Sequence, residues 1–303
     1  MPDTQTEAVR PVATDVATVL AEPPALRPAG RGAGRRRDRR IALWLLVAVG
    51  ALLMFFPFYW TIVTSIQSDD LLSTPSVVPQ HVTLDGYRKL FTAFPFVRAA
   101  LNSMGLAVAS TLFQLVTSSM AAYVFARIDF RGRKVVFVLY LATQMVPLQV
   151  LIVPLFVEMR HFHLIDTYAA LLAPTIASAF GVFLLTQAMR TVPIDLDEAA
   201  VLDGAGHVRI FLRVILPLVR PALATFAVFG FMTSWNSFLW PLVVTRTTAH
   251  MTLPLGLATL QGQFTTEWNV VMAGSVLSVL PIVIVYGFTQ RFVVQSVATT
   301  GFK

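Results

Sequence analysis

The residues from Glu198 to Pro221, EAAVLDGAGHVRIFLRVILPLVRP, form a polar, helix-forming island between two long apolar stretches. Their chemistry is that of contact rather than of bond breaking. Pro193 opens a helix, and Asp195, Asp197 and Glu198 crowd its first turn, where the positive end of the helix dipole favours carboxylates. Gly204 and Gly206 stop it. Ala199 and Ala200 are small neighbours that let another surface approach the backbone, and a second short helix runs from His207 toward Pro217. Ten or so helical residues make a rod about 15 Å long, a size that fills a cleft in a partner.

Away from this island the reactive groups are sparse. Asn102, Gln144, Gln149, Trp235 and Asn236 are uncharged groups inside apolar stretches. Amides and an indole suit a neutral polyol, held by hydrogen bonds and by an aromatic face against its C–H patches. The competing role for each is to tie helices together, as Asn, Gln and Ser do in membranes. Glu158, His161, His163 and Asp166 hold metal-ligating atoms, but positions 161 and 163 do not share a helical face, and no metal site is expected. No Ser/His/Asp or paired-carboxylate set points to hydrolysis, so no catalytic residues are assigned.

The elements that carry these groups follow from composition. Of 303 residues 56% are hydrophobic and 13% charged, and the mean hydropathy is +0.70. Such a chain belongs in a bilayer. Six spans are expected, at about 41–66, 99–126, 135–157, 167–189, 221–245 and 270–290, each near or above the ~20 apolar residues that cross a membrane. None contains Asp, Glu, Lys, Arg or His. Prolines at 57, 147, 154, 174, 241 and 281 mark expected kinks. Residues 1–40, rich in Ala, Pro and Arg, read as a disordered basic tail, and the apolar run after them is too long for a signal-peptide core and is expected to stay as the first span.

The net charge of +7 does not indicate nucleic acid, because the basic residues track topology. With a cytoplasmic N-terminus, 18 of the 23 Lys and Arg fall on the inner side. Both termini and the 190–220 loop are then cytoplasmic, and the cluster of Arg35, Arg36, Arg37, Arg39 and Arg40 touches anionic lipid heads. With no cysteine, the chain has neither disulfides nor thiolate metal sites.

The energy source is read from what is missing. The three lysines, Lys89, Lys134 and Lys303, follow Arg88, Arg133 and Phe302, so the chain holds no Gly-Lys-Ser/Thr phosphate loop. Proton-driven carriers place ionisable groups within their spans, and none is here. A sodium-coupled carrier survives as an alternative, because backbone carbonyls alone hold sodium.

The run of Glu198, Ala199 and Ala200, then Gly204, then Leu216 and Pro217, resembles the EAA loop of permease subunits of bacterial ABC importers. Val214 stands where the family often has isoleucine. Four further stretches resemble the carbohydrate branch, the maltose-type and glycerol-phosphate permeases: PLQVLIVPLF from Pro147, LIDTYAALLAP from Leu164, SWNSFLWPLVV from Ser234 and MTLPLGLATLQGQFTTEWNVVMAGSVLSVLP from Met251. The resemblance covers residues 41–303, with a core at about 98–291. It implies an all-α, six-helix transmembrane bundle of the type I importer kind in a bacterial cell membrane. It also implies a second permease, an ATPase dimer that binds ATP and Mg, and an extracytoplasmic solute-binding lipoprotein; this chain looks like the second of the two permeases and needs no cofactor of its own. Glu198, Ala199, Ala200, Asp203, Gly204, Ala205, Leu216 and Pro217 would couple to the ATPase, with Glu198 hydrogen-bonded to one of its basic groups. Arg246 to Asn269, with Gly256, Gly262 and several Thr and Gln, is a candidate contact for the binding protein, with a plain connecting loop as the alternative. An importer permease for amino acids, peptides or phosphate would share the EAA loop without the SWNSFLWPLVV stretch.

Overall fold

The computed structural model describes residues 32–68, 78–79, 81–261 and 266–300. Among these the regular structure is helical, apart from one isolated antiparallel bridge between Gln67 and Val82. The chain divides into two units, residues 1–56 and 57–303. Helix α1 (Gly32–Ser65) supplies all the regular structure described in the first unit and opens the second. It begins inside the tail expected to be disordered: Gly32–Arg40 is helical, as Arg and Ala readily are, and residues 1–31 lie outside the described set.

In the second unit, α2 (Asp85–Ala93) precedes the long α3 (Phe96–Arg127). Then come α4 (Arg133–Ala142), α5 (Leu148–His161), α6 (Tyr168–Leu172) and α7 (Ala179–Arg190). The polar island forms α8 (Asp195–Leu202), α9 (His207–Ile210) and α10 (Leu216–Leu218). The chain closes with α11 (Arg220–Trp235), α12 (Leu239–Val244), α13 (Leu253–Thr259) and α14 (Trp268–Thr300).

Four of the expected spans are met by Arg40–Ser65, Phe96–Arg127, Arg220–Val244 and Trp268–Gln290. The other two are each broken. Arg133–Met145 and Leu148–His161 meet at a bend of 94°, and Tyr168–Thr175 and Ala179–Arg190 at 45°. At the first bend Val146 and Pro147 are extended, the conformation a residue before proline prefers. At the second, Pro174 sits in a 3₁₀ turn, and the Ser178 hydroxyl then caps α7 by accepting from the Gly181 N–H. Pro57, Pro154 and Pro281 lie within uninterrupted helices. The fifth span carries a break without proline at Asn236–Phe238, between α11 and α12.

Helix α3 is the centre of the second unit. Ala99, Ser103, Ala107, Thr111, Ser118 and Ala122 run down it as a buried stripe of small side chains, which lets α7 and α11 lie close. Glycine plays the same part opposite: a Cβ on Gly181 would stand 2.1 Å from the Phe226 ring, so α7 and α11 meet only because Gly181 has none. One core cluster gathers Leu90, Phe94, Phe96, Phe231 and Trp235, and another gathers Tyr123, Leu185, Met189, Ile210, Ile215 and Phe226 beneath the polar island. By contrast Met145, Met54 and Phe288 are at least three-quarters exposed, an apolar exterior that fits hydrocarbon rather than water.

Candidate functional site

Helix α8 is eight residues long, about 12 Å, and begins two residues after Pro193. It ends in a Schellman arrangement. The Ala205 N–H reaches the Ala200 carbonyl at 2.9 Å, the Gly204 N–H reaches the Val201 carbonyl at 2.9 Å, and Gly204 takes φ +76, a left-handed value that glycine adopts without cost. Glu198, Ala199, Asp203 and Gly204 face outward, and Leu202 is 88% exposed. Ala200, Ala205 and Leu216 turn the other way and pack on the cluster beneath. The two alanines therefore do not share a surface: successive helical residues point about 100° apart, so Ala199 is presented and Ala200 is used for packing.

Past Gly206 the chain runs helically from His207 to Leu218, as expected, but with a π turn over Phe211–Ile215. Pro217 accounts for it. Proline has no N–H to give the carbonyl four residues back, and its ring crowds that carbonyl; a wider turn, closed by the Leu216 N–H on the Phe211 carbonyl, relieves both.

The anchor of α8 is a pair that sequence reasoning passed over. Asp197 is buried, and its Oδ2 lies 3.2 Å from Nε of Arg127, the last residue of α3. The same guanidinium donates to the Val192 carbonyl at 2.8 Å, so one arginine holds both α8 and the strand of chain entering it. Arg190 crosses in the opposite direction, donating to the Phe125 carbonyl at 3.3 Å and lying over the Phe137 ring. Between α8 and α9 opens a cleft of about 380 Å³, whose lining includes Tyr123, Asp197, Glu198, Leu202 and His207. The only sequence signal for the anchor was a basic residue ending a span and an acid beside Glu198.

The opposite end of α3 is tied to another polar cluster. Asn102 donates to the carbonyls of Ala249 and Met251, both at 2.9 Å, and accepts from the Tyr168 hydroxyl at 2.8 Å. Asp166, itself at φ +60, accepts from the N–H groups of Arg246 and Thr247 and from the Thr247 hydroxyl, with His250 Nδ1 3.5 Å away. Burial alone would raise the Asp166 pKa, but these hydrogen bonds and the neighbouring His250 hold it below the ordinary carboxylate value. Asp166 thus serves the 246–250 segment, and among the described residues no group of three or more His, Cys, Asp or Glu is placed to hold a metal.

The five candidate pathway residues separate into two sets. Asn102 and Trp235 are buried and bonded to backbone, Trp235 through Nε1–H to the Ser278 carbonyl at 3.1 Å. Gln144 and Gln149 are exposed on either side of the 94° bend, and Asn236 is exposed at the break between α11 and α12, where it donates to the Met232 carbonyl.

Comparison with known proteins agrees with this architecture. The family described as "Binding-protein-dependent transport system inner membrane component" matches residues 114–299. The arabinooligosaccharides transport system permease protein AraQ of Bacillus subtilis (strain 168) is 35% identical over 269 residues, 87% of this chain and 96% of the relative. The diacetylchitobiose uptake system permease protein NgcG of Streptomyces coelicolor is 32% identical, over 88% of this chain and 90% of the relative. In fold, the chain is similar to a crystal structure of a bacterial ABC transporter that imports the acidic polysaccharide alginate, with a TM-score of 0.76 and 24% identity over 84% of this chain and 96% of the other. A broken-span helical bundle carrying an outward-facing α8 on a buried anchor, together with these matches, makes this chain a multi-pass cell-membrane protein of the binding-protein-dependent transport system inner membrane component family.

Proposed function

We propose that the chain is a permease subunit of an ATP-driven importer for an oligosaccharide or related polyol. The observation that carries this reading is the surface of α8: Glu198, Ala199 and the nearly naked Leu202 face outward while the same helix is pinned beneath by a buried ion pair. A helix held firmly on one side and bare on the other is built to be gripped. The gripping partner is a separate ATPase dimer that binds ATP and Mg, and Glu198 accepts a charge-assisted hydrogen bond from one of its basic groups. Closure of that dimer on nucleotide moves α8 and shifts the bundle between inward-open and outward-open arrangements.

The arrangement in the membrane follows from charge. Arg127, Arg190, Arg209 and Arg213 belong to the segments around α8, so this end faces the cytoplasm, and both termini follow it. The 246–269 segment then lies outside, where a solute-binding protein delivers cargo, and a second permease completes the assembly.

Cargo class rests on two supports. The relatives above are named for arabinooligosaccharides and diacetylchitobiose. In addition, non-helical backbone at membrane depth is tolerated only against protein or a water-filled path, and Gln144, Gln149 and Asn236 flank such breaks with uncharged, hydrogen-bonding side chains. These three are the residues assigned to the route.

The test is gentle affinity purification of the tagged chain, with identification of co-eluting proteins and a ligand screen on the receptor recovered. Co-elution of an ATPase and a sugar-binding receptor is expected. A chain that purifies stoichiometrically with neither, from membranes active in uptake, overturns the reading.

A further inference from the structure

We propose that the Arg127–Asp197 ion pair is the joint through which movement of α8 reaches α3, and that α3 carries it as a rigid strut to the 246–253 segment at the far end. This rests on the reading of α8 as the surface gripped by the ATPase.

The first support is the placing of the pair. Asp197 and Glu198 are adjacent on α8, one turned inward to α3 and the other outward. A pull on the outer residue is therefore felt at the inner one. Arg127 is fixed at two points, the Asp197 carboxylate and the Val192 carbonyl, and Arg190 returns a second tie to the last turn of α3 at Phe125. Arg127 thus ties α3 to α8 and to the segment entering it, while Arg190, the last residue of α7, ties α7 to the same turn of α3.

The second support is the character of the joint. Both side chains are nearly dry, 6% and 12% exposed. Stripping water from two charges offsets most of what they gain from each other, so an apolar contact would stabilise the fold as well. Arg127 Nε and Asp197 Oδ1 have no hydrogen-bond partner, so the tie is charge attraction across 3.2 Å, and what it adds is a cost to separating α8 from α3, since either charge alone would be left buried and unpaired.

The third support is the strut. Among the described membrane spans α3 alone has neither an internal proline nor a break: α1 and α14 contain Pro57 and Pro281, and the other three are interrupted. Helix kinks arise at such places, so α3 is the stiffest path across the bundle. From Arg127 back to Asn102 it covers about 37 Å. There Asn102 holds the carbonyls of Ala249 and Met251, and the Ser103 hydroxyl accepts from the Leu253 N–H at 2.8 Å. Both ends of one unbroken helix are thus locked to the two segments assigned to partners.

The test uses the assembled importer in proteoliposomes, reading solute taken up per ATP hydrolysed for the unmodified chain, Asp197→Asn, Arg127→Gln and the reversed pair Arg127→Asp with Asp197→Arg. Retention of the ATPase by the unmodified chain is measured first, and its failure would count against the docking reading rather than the joint. Asp197→Asn is nearly isosteric, and it is expected to keep the ATPase bound and hydrolysing while uptake per ATP falls about tenfold. The reversed pair should recover about half of the lost ratio. An unchanged ratio in Asp197→Asn overturns the proposal. So does a loss confined to the amount of assembled complex, which would give the pair a folding role only.

Discussion

At the scale of single residues, two positions carry sharp expectations. Gly204 stands at φ +76 with open space where a Cβ would go, so only its backbone matters. Gly204→Ala forces a side chain into the left-handed region, a cost of about 1–2 kcal/mol, whereas Asn tolerates that region. Uptake should fall for Gly204→Ala and for Gly204→Trp at unchanged membrane abundance, with Gly204→Asn close to normal; equal uptake in all three would contradict the role. Asp166 yields a pH dependence. Its pKa is depressed in the folded chain, so its contribution is fully present above the unfolded carboxylate value, about 4, and is lost as pH falls through the lower folded value. A spin label at Thr248→Cys should keep its mobility unchanged from neutral pH to about 4 and loosen as pH falls through the lower folded value, while Asp166→Asn loosens it throughout. Glu198 and Gly204 were legible in the sequence because short-range helix grammar places them. Asp197 and Arg127 were not, because only the convergence of two helix ends brings them together.

At the scale of elements, apolar length was enough to locate four spans as helices and the other two expected spans as bent helix pairs, and Pro147 and Pro174 announced the two bends. The break at Asn236–Phe238 was hidden, since Trp-Asn-Ser-Phe contains neither proline nor glycine. Pairing of helices was also hidden, although the small-residue stripe of α3 is visible once its partners are known. The contact of α7 with α11 makes this testable. Gly181→Leu drives a side chain into the Phe226 ring and should destabilise the bundle by about 1–3 kcal/mol. A lowered thermal midpoint in detergent, partly restored by Phe226→Ala, is expected; an unshifted midpoint would show that the two helices have room to spare.

At the scale of the whole molecule, the proposed function makes the chain a gate moved by a partner. The chain holds no Gly-Lys-Ser/Thr phosphate loop and no Asp, Glu, Lys, Arg or His within the spans first expected, and the proposed function has work delivered through the outward face of α8. The measurement that tests this most directly is accumulation of radiolabelled oligosaccharide in proteoliposomes containing either the purified chain alone or the chain with its partner permease, ATPase and receptor. Accumulation against the gradient is expected solely in the complete assembly and solely with ATP. Accumulation by the chain alone would contradict the account.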